Sequence, residues 1–247
     1  MRSTTIRRGM VAVVAMALLA GCGGGDGDGD GDGGKPASNA PKDNGVAALE
    51  PTEALQRATT AVQNAKSYRL AGDIATSGQK MTLDFKMTGS DLTGQISTND
   101  GTVELLSVGG QQYIRPDAKF WAKNTGAEAS GEIVKLMGDK WAKVSQKDEF
   151  TQMFDVANVD GLLKPDGTIT KGEAKEINGV QTIGLVDGKK EGTLYIATTG
   201  EPYPVRVEGS NADGASQITL SDFGATFDEL KAPAADQIVD FDQLKRK

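Results

Sequence analysis

Between Lys80 and Thr88 the chain alternates with period two: Met81, Leu83, Phe85 and Met87 are apolar, while Lys80, Thr82, Asp84 and Lys86 are polar. Successive side chains of a strand point to opposite faces, so this pattern makes a strand with one dry and one wet face; a helix would scatter both sets around its circumference. The alternation recurs as Leu70, Gly72 and Ile74, as Leu92, Gly94 and Ile96, and around Val103 and Leu105. Asp100 with Gly101, and Gly109 with Gly110, separate these runs as hairpin turns. After Gly172 the pattern resumes: Asn178 and Gly179 turn one strand into the next, then Ile183 and Leu185, Leu194 and Ile196, Val205 and Val207, and Ile218 and Leu220 follow. Counting this way gives about eleven strands. A single antiparallel sheet of that length curls, and its concave apolar face needs a cover.

Helical segments supply one. Thr52 reads as the cap of a helix from Glu53 to Lys66, with Leu55, Ala58, Val62 and Ala65 on one face. Gly126 to Gly138 reads as a short helix carrying Ile133, Leu136 and Met137, and a second helical stretch runs near Asp148 to Leu163 with Phe150, Met153, Phe154, Leu162 and Leu163. A repeated Trp-Ala-Lys, within Phe120–Lys123 and Lys140–Lys143, brackets the first of these and reads as two strand edges. The predicted fold class is therefore α+β: a curled antiparallel half-barrel with helices packed on its concave face. It occupies residues 52–247, enough chain for one domain with a substantial core.

The first fifty residues belong to another regime. Arg2, Arg7 and Arg8 precede an apolar run from Met10 to Ala20, too short for a spanning helix of about 20 residues. Leu19, Ala20, Gly21 and Cys22 then fit a lipobox, in which small residues admit the signal peptidase and the cysteine carries diacylglycerol. Cys22 is the chain's one cysteine. These features predict a lipoprotein signal peptide at residues 1–21, exported by the general secretory route, and a mature chain anchored by acylated Cys22 on the extracytoplasmic face of the cell membrane. Arg7 and Arg8 match a twin-arginine signal only loosely. Residues 22–51, rich in Gly and Asp, read as a flexible tether; about thirty such residues have a root-mean-square reach of about 30 Å. Asp26, Asp28, Asp30 and Asp32 alternate like the start of an EF-hand loop, but the closing Glu and both flanking helices are missing.

Composition narrows the chemistry. Loss of the signal removes three arginines and moves the formal charge from −7 to −10, which argues against nucleic acid and against broad adhesion to anionic lipid. The basic end Lys245, Arg246 and Lys247 reads as solvated. The chain has no histidine, which removes the Ser-His-Asp arrangement and every histidine-containing zinc site. Asp148 with Glu149, Glu173 with Glu176, and Asp228 with Glu229 are carboxylate pairs near in sequence, and solvated faces account for them better than an acid/base dyad. No catalytic residue, metal or cofactor is expected. The rigid Gly200-Glu201-Pro202-Tyr203-Pro204 turn reads as a strand connection in preference to a cavity lip, and Trp121 and Trp141 as packing in preference to a cavity mouth.

The order of helix, hairpin strands, helical insertion and long C-terminal meander resembles the LolA-like half-barrel of cell-envelope lipoproteins of the LppX and LprG type. The residues that carry the likeness are Ser67–Leu70, Gly109–Arg115, the two Trp-Ala-Lys segments, Ile177–Leu185, Thr193–Glu208 and Ile218–Gly224. The resemblance implies binding of acyl chains between sheet and helices. Alternation alone nominates the concave residues that such a ligand would touch: Ile74, Leu83, Phe85, Met87, Ile183, Leu185, Leu194, Ile196, Val207, Ile218 and Leu220. The expected partners are thus a lipid or other apolar ligand and the membrane reached through Cys22, with an envelope protein as a further possible partner. The alternative is an interaction or sensory module whose helices fill the concavity.

Overall fold

The computed structural model describes residues 42–240, apart from 77, 146–148, 158, 190 and 191. The signal peptide, Cys22, the tether as far as residue 41 and the basic C-terminus lie outside the described residues.

Five strands follow a first helix: α1 (Pro51–Ala65), then β1 (Ser67–Thr76), β2 (Gln79–Thr88), β3 (Asp91–Thr98), β4 (Gly101–Val108) and β5 (Gln111–Pro116). Next come α2 (Ala118–Thr125), α3 (Ala127–Met137), β6 (Trp141–Val144), a 3-10 segment (Glu149–Ala157) and α4 (Val159–Leu163). The second meander is β7 (Ile169–Ile177), β8 (Val180–Asp187), β9 (Gly192–Ala197), β10 (Pro204–Asn211) and β11 (Gly214–Ser221); β12 (Ile238–Asp240) closes the described chain.

All twelve described strands join one open, curled sheet in the order β12-β6-β5-β4-β3-β2-β1-β11-β10-β9-β8-β7. Every neighbouring pair is antiparallel except β12 with β6, which is parallel. Two of the three marked pairs are the turns themselves, while at the third the turn is Asn99–Asp100 and Gly101 already pairs with Thr98 as the first residue of β4. Gly109 and Gly110 both have φ in the left-handed region, as do Asn178 and Gly179, the geometry of a two-residue turn matched to strand twist.

Register places the dry residues in rows. One runs Ile114, Leu105, Gly94, Phe85, Leu70, Leu220, and the next runs Val103, Ile96, Leu83, Gly72, Ile218, Val207, Leu194, Leu185. The two glycines allow close approach: a Cβ on Gly72 would lie 1.9 Å from the Gln217 carbonyl oxygen, and one on Gly94 2.5 Å from the Phe85 ring. Both rows belong to one continuous core with α1, α2, α3 and α4.

Several expectations are corrected. The first helix starts at Pro51, with Glu50 rather than Thr52 in the cap position, because Pro fits the first helical turn where its missing N–H is no loss. Its buried residues are Ala54, Ala58, Ala61 and Val62, a small-residue face that lets it lie close to the sheet. Phe120–Lys123 is helical, inside α2, whereas Trp141–Lys143 is a strand as expected. The Asp117 carboxylate accepts the Phe120 N–H at 2.7 Å and so starts a helix where the triplet alone reads as extended. Val205 does not share the face of Val207: an irregularity between Pro204 and Arg206 sends it into a small second cluster with Ile177 and Ala197. The tether is shorter than expected. Asp43 bridges Thr199, the Asn44 N–H donates to the Thr198 carbonyl at 2.9 Å, and Val46 is completely buried, so residues 42–50 belong to the folded unit.

The outer edges are guarded differently. β7 carries Lys171, Glu173, Lys175 and Glu176 along an exposed edge and bulges between Lys171 and Ala174, features that discourage pairing with another chain.

Candidate functional site

The concave face is not filled evenly. Over β1 to β5 the side chains of Leu83, Phe85, Leu105 and Ile114 are at most 1 % exposed. Over part of β8 to β11 a space remains beneath the helices. There α1 contributes Leu55, and the five-residue α4 contributes Leu162 and Leu163. Between them and the sheet lies an apolar cavity of about 260 Å³.

Five of the nominated ligand residues form its floor: Ile74, Leu185, Leu194, Val207 and Ile218. They come together because the paired positions Leu185, Leu194, Val207 and Ile218 form one row across four strands, with Ile74 one step further along β1. The other six nominated residues are elsewhere. Leu83, Phe85, Ile196 and Leu220 are packed in the solid core, at most 2 % exposed, and Ile183 is half-buried against that core. Met87 faces a separate hollow of about 430 Å³ beside Val62, Tyr68 and Phe154, whose other walls include the polar Ser107, Gln112 and Asp155. Alternation identifies the face of each residue but says nothing of how tightly helices press on it, which is why the nominated set divides.

Leu55, Leu162, Leu163 and Ile169, which strand alternation does not nominate, also line the cavity. The signal was present for three of them, since Leu55, Leu162 and Leu163 stand out as apolar residues in helical stretches; strand alternation could not nominate them.

At the cavity's edge the segment Lys164–Thr168 links α4 to β7, and Lys164, Pro165 and Ile169 line the wall. The buried Asp187 carboxylate holds this segment: Oδ2 accepts the Asp166 N–H at 2.8 Å, and Oδ1 accepts the Lys189 N–H at 2.9 Å. A buried carboxylate is tolerable when backbone donors satisfy it in this way.

The remaining candidates fall outside this site. Trp121 is buried in the core and meets Phe120 edge-on at 5.8 Å, while the Arg115 guanidinium lies 4.6 Å over the Trp141 ring. The turn at Gly200–Pro204 is a strand connection that also receives the N-terminal segment: the Gly200 N–H donates to the Lys42 carbonyl at 3.0 Å, and Tyr203 stacks on Phe223 at 4.0 Å. Glu173, Glu176, Asp228 and Glu229 are exposed, without the opposed environments an acid/base pair requires. Asp148 lies outside the described residues. Among the described residues no helix is long and apolar enough to cross a membrane.

No protein-family model and no curated protein matches this chain. Among solved structures it is similar to the lipoprotein LppX of Mycobacterium tuberculosis, at 15% identity over 72% of this chain and 97% of that one, with a TM-score of 0.48. It is also similar to LprF of Mycobacterium bovis, at 14% identity over 75% and 99% of the two chains, with a TM-score of 0.47. A third is an uncharacterized conserved protein of Thermus thermophilus, at 9% identity, 76% and 98% coverage and a TM-score of 0.40.

Proposed function

We propose that this protein is a lipoprotein, anchored through acylated Cys22 on the extracytoplasmic face of the cell membrane, that shelters an acyl chain or similar apolar ligand under α1 and α4. The observation that carries this reading is the apolar cavity of about 260 Å³. An apolar cavity of about 150 Å³ already stays dry and admits benzene, and small-molecule pockets begin at roughly 300 Å³. The space therefore suits a single chain or the end of one. Transfer of each methylene from water is worth about 0.8 kcal/mol, so a smooth apolar wall retains a chain without any polar motif. The mechanism is sequestration without turnover.

The solid packing of Leu83, Phe85, Leu105 and Ile114 favours a second reading for that half of the sheet, an interaction or sensory module with a filled interior. Native mass spectrometry of the membrane-extracted protein separates the two. A lipid-sized mass that is retained by the wild type and lost on Leu185→Trp supports the carrier. A wild type free of any such mass, and unable to take up a fatty acid added in excess, overturns it in favour of the interaction module.

A further inference from the structure

The cavity and the point where the folded chain meets the tether lie at opposite ends of the sheet. Cavity residues come from the start of β9 (Gly192, Thr193), the start of β7 (Ile169) and the second half of β10 (Val207, Gly209). The chain enters the fold at the other end: the Gly200 N–H donates to the Lys42 carbonyl, the Asn44 N–H to the Thr198 carbonyl, and Asp43 bridges Thr199. Gly192 and Thr199 are seven residues apart, which at the rise of a strand is about 23 Å. The first helix measures the same interval independently. Leu55, near its start, lines the cavity, whereas its C-terminus leads into the start of β1, beside the end of β11 and the start of β10. Its fifteen residues span about 22 Å.

Chain length completes the comparison. From Cys22 to Lys42 there are twenty residues, because residues 42–50 are taken into the fold. A Gly-rich chain of that length has a root-mean-square end-to-end distance of about 25 Å. The proposed tether is thus as long, on average, as the distance from its attachment point to the cavity.

We propose that the tether is matched to the domain, so that the folded unit turns over on its anchor and loads its cavity from the same bilayer that holds Cys22. The proposal rests on the reading of the cavity as a ligand site and of Cys22 as the anchor. With the Lys42 end against the bilayer, the cavity stands about 23 Å out. With the cavity end against the bilayer, Lys42 stands off by that distance and the tether must bridge it. A linker gives the highest effective concentration when its root-mean-square length equals the span, none when it cannot reach, and beyond the match a value that falls as about the −3/2 power of its length. A longer tether dilutes the encounter, and a much shorter one holds the cavity off the surface. The whole domain moves while its internal packing stays the same.

The acylated full-length chain, reconstituted in phosphatidylcholine vesicles, tests this. The bilayer carries a dansyl-labelled very-long-chain fatty acid, which leaves it too slowly for transfer through water to compete, and a doxyl-labelled lipid that quenches dansyl at short range. Recovery of dansyl fluorescence then reports uptake by the protein. Wild type should take up probe at a rate that does not change when the vesicles are diluted, as loading within one vesicle requires. Deletion of residues 26–40 leaves a path of at most about 18 Å between Cys22 and Lys42, too short for the span, and should slow this uptake at least about tenfold. A second copy of residues 23–41, inserted after Pro41, should slow it about two- to threefold. With Cys22→Ser added, both length variants should load a shorter dansyl fatty acid from solution as fast as Cys22→Ser alone, since the cavity is untouched. Anchored uptake that ignores tether length, or wild-type uptake that rises in proportion to vesicle concentration, overturns the proposal. A Cys22→Ser chain that takes up no probe from solution overturns the ligand reading, and a wild type that does not stay on the vesicles overturns the anchor; both results are distinct from an anchored, competent protein whose loading ignores the tether.

Discussion

Asp117 connects two elements with one carboxylate. Oδ1 accepts the Phe120 N–H at the start of α2, and Oδ2 accepts the Thr102 N–H at 2.9 Å at the start of β4. Asp117→Ala should therefore cost about 1–2 kcal/mol, the loss of a helix cap, and Asp117→Asn less, as read from urea midpoints. On the wet face of the sheet Arg69 grips Asp84 with two bonds of 2.8 Å. The hydrogen bond from Arg69 holds the Asp84 carboxyl below its ordinary range, against an opposing effect of burial. A carboxyl lowered by folding adds stability above its unfolded pKa of about 3.9, and that stability is lost as the pH falls through the folded value. The two side chains are 39% and 37% exposed, so solvent screening limits the pair to about 1 kcal/mol. Wild type should thus exceed Asp84→Asn by up to about that amount at pH 7, and the difference should shrink as the pH falls below the unfolded carboxyl value of about 3.9.

At the scale of elements, the same Trp-Ala-Lys forms a helix at Trp121–Lys123 and a strand at Trp141–Lys143. Nothing within the triplet separates the two outcomes; the Asp117 cap decides the first, and pairing with β5 decides the second. The hairpins were legible because their turns and alternation are local, as at Asn178 and Gly179. Strand β12 was not, since three residues pair in parallel with β6 across almost a hundred positions of sequence. The candidate site was half legible for a related reason: alternation gives Phe85 and Leu185 the same face, but only packing shows that one is in solid core and the other above a cavity. Substitution by Trp turns that difference into a measurement. Phe85→Trp has no room, with Gly94 already pressed against its ring, and should lose about 1–3 kcal/mol from overpacking. Leu185→Trp should keep its unfolding midpoint within about 1 kcal/mol of wild type while bound fatty acid is lost, because the ring takes the ligand's place. Equal destabilisation of the two variants would count against an open cavity.

Over the whole molecule, both ends of the folded chain are laid across the sheet as straps. After β11 the chain crosses the wet face, where Lys86 pairs with Glu229 and lies 5.8 Å over the Phe227 ring, and it ends as β12 on the far edge. At the other end, residues 42–50 hold the loop between β9 and β10 through the Asn44 and Gly200 amides, and Val46 enters the core. In our proposal this segment joins the folded unit to the lipid at Cys22. Cys22→Ser should then release the protein from the membrane fraction, and lipid-dependent retention of that variant would contradict the anchor. The strap makes a sharper prediction about where the fold begins. A chain starting at Lys42 keeps the described bonds of residues 42–50 and should unfold at the full-length midpoint. A chain starting at Thr52 loses Val46, whose burial is worth about 1.5–3 kcal/mol, and with it the bonds of Asn44. For a chain of this size that corresponds to a fall of roughly 3–12 °C in Tm. Calorimetry of the two truncations decides it: equal midpoints would mean that residues 42–51 belong to the tether, and a lower midpoint for the shorter chain places the start of the domain at the strap.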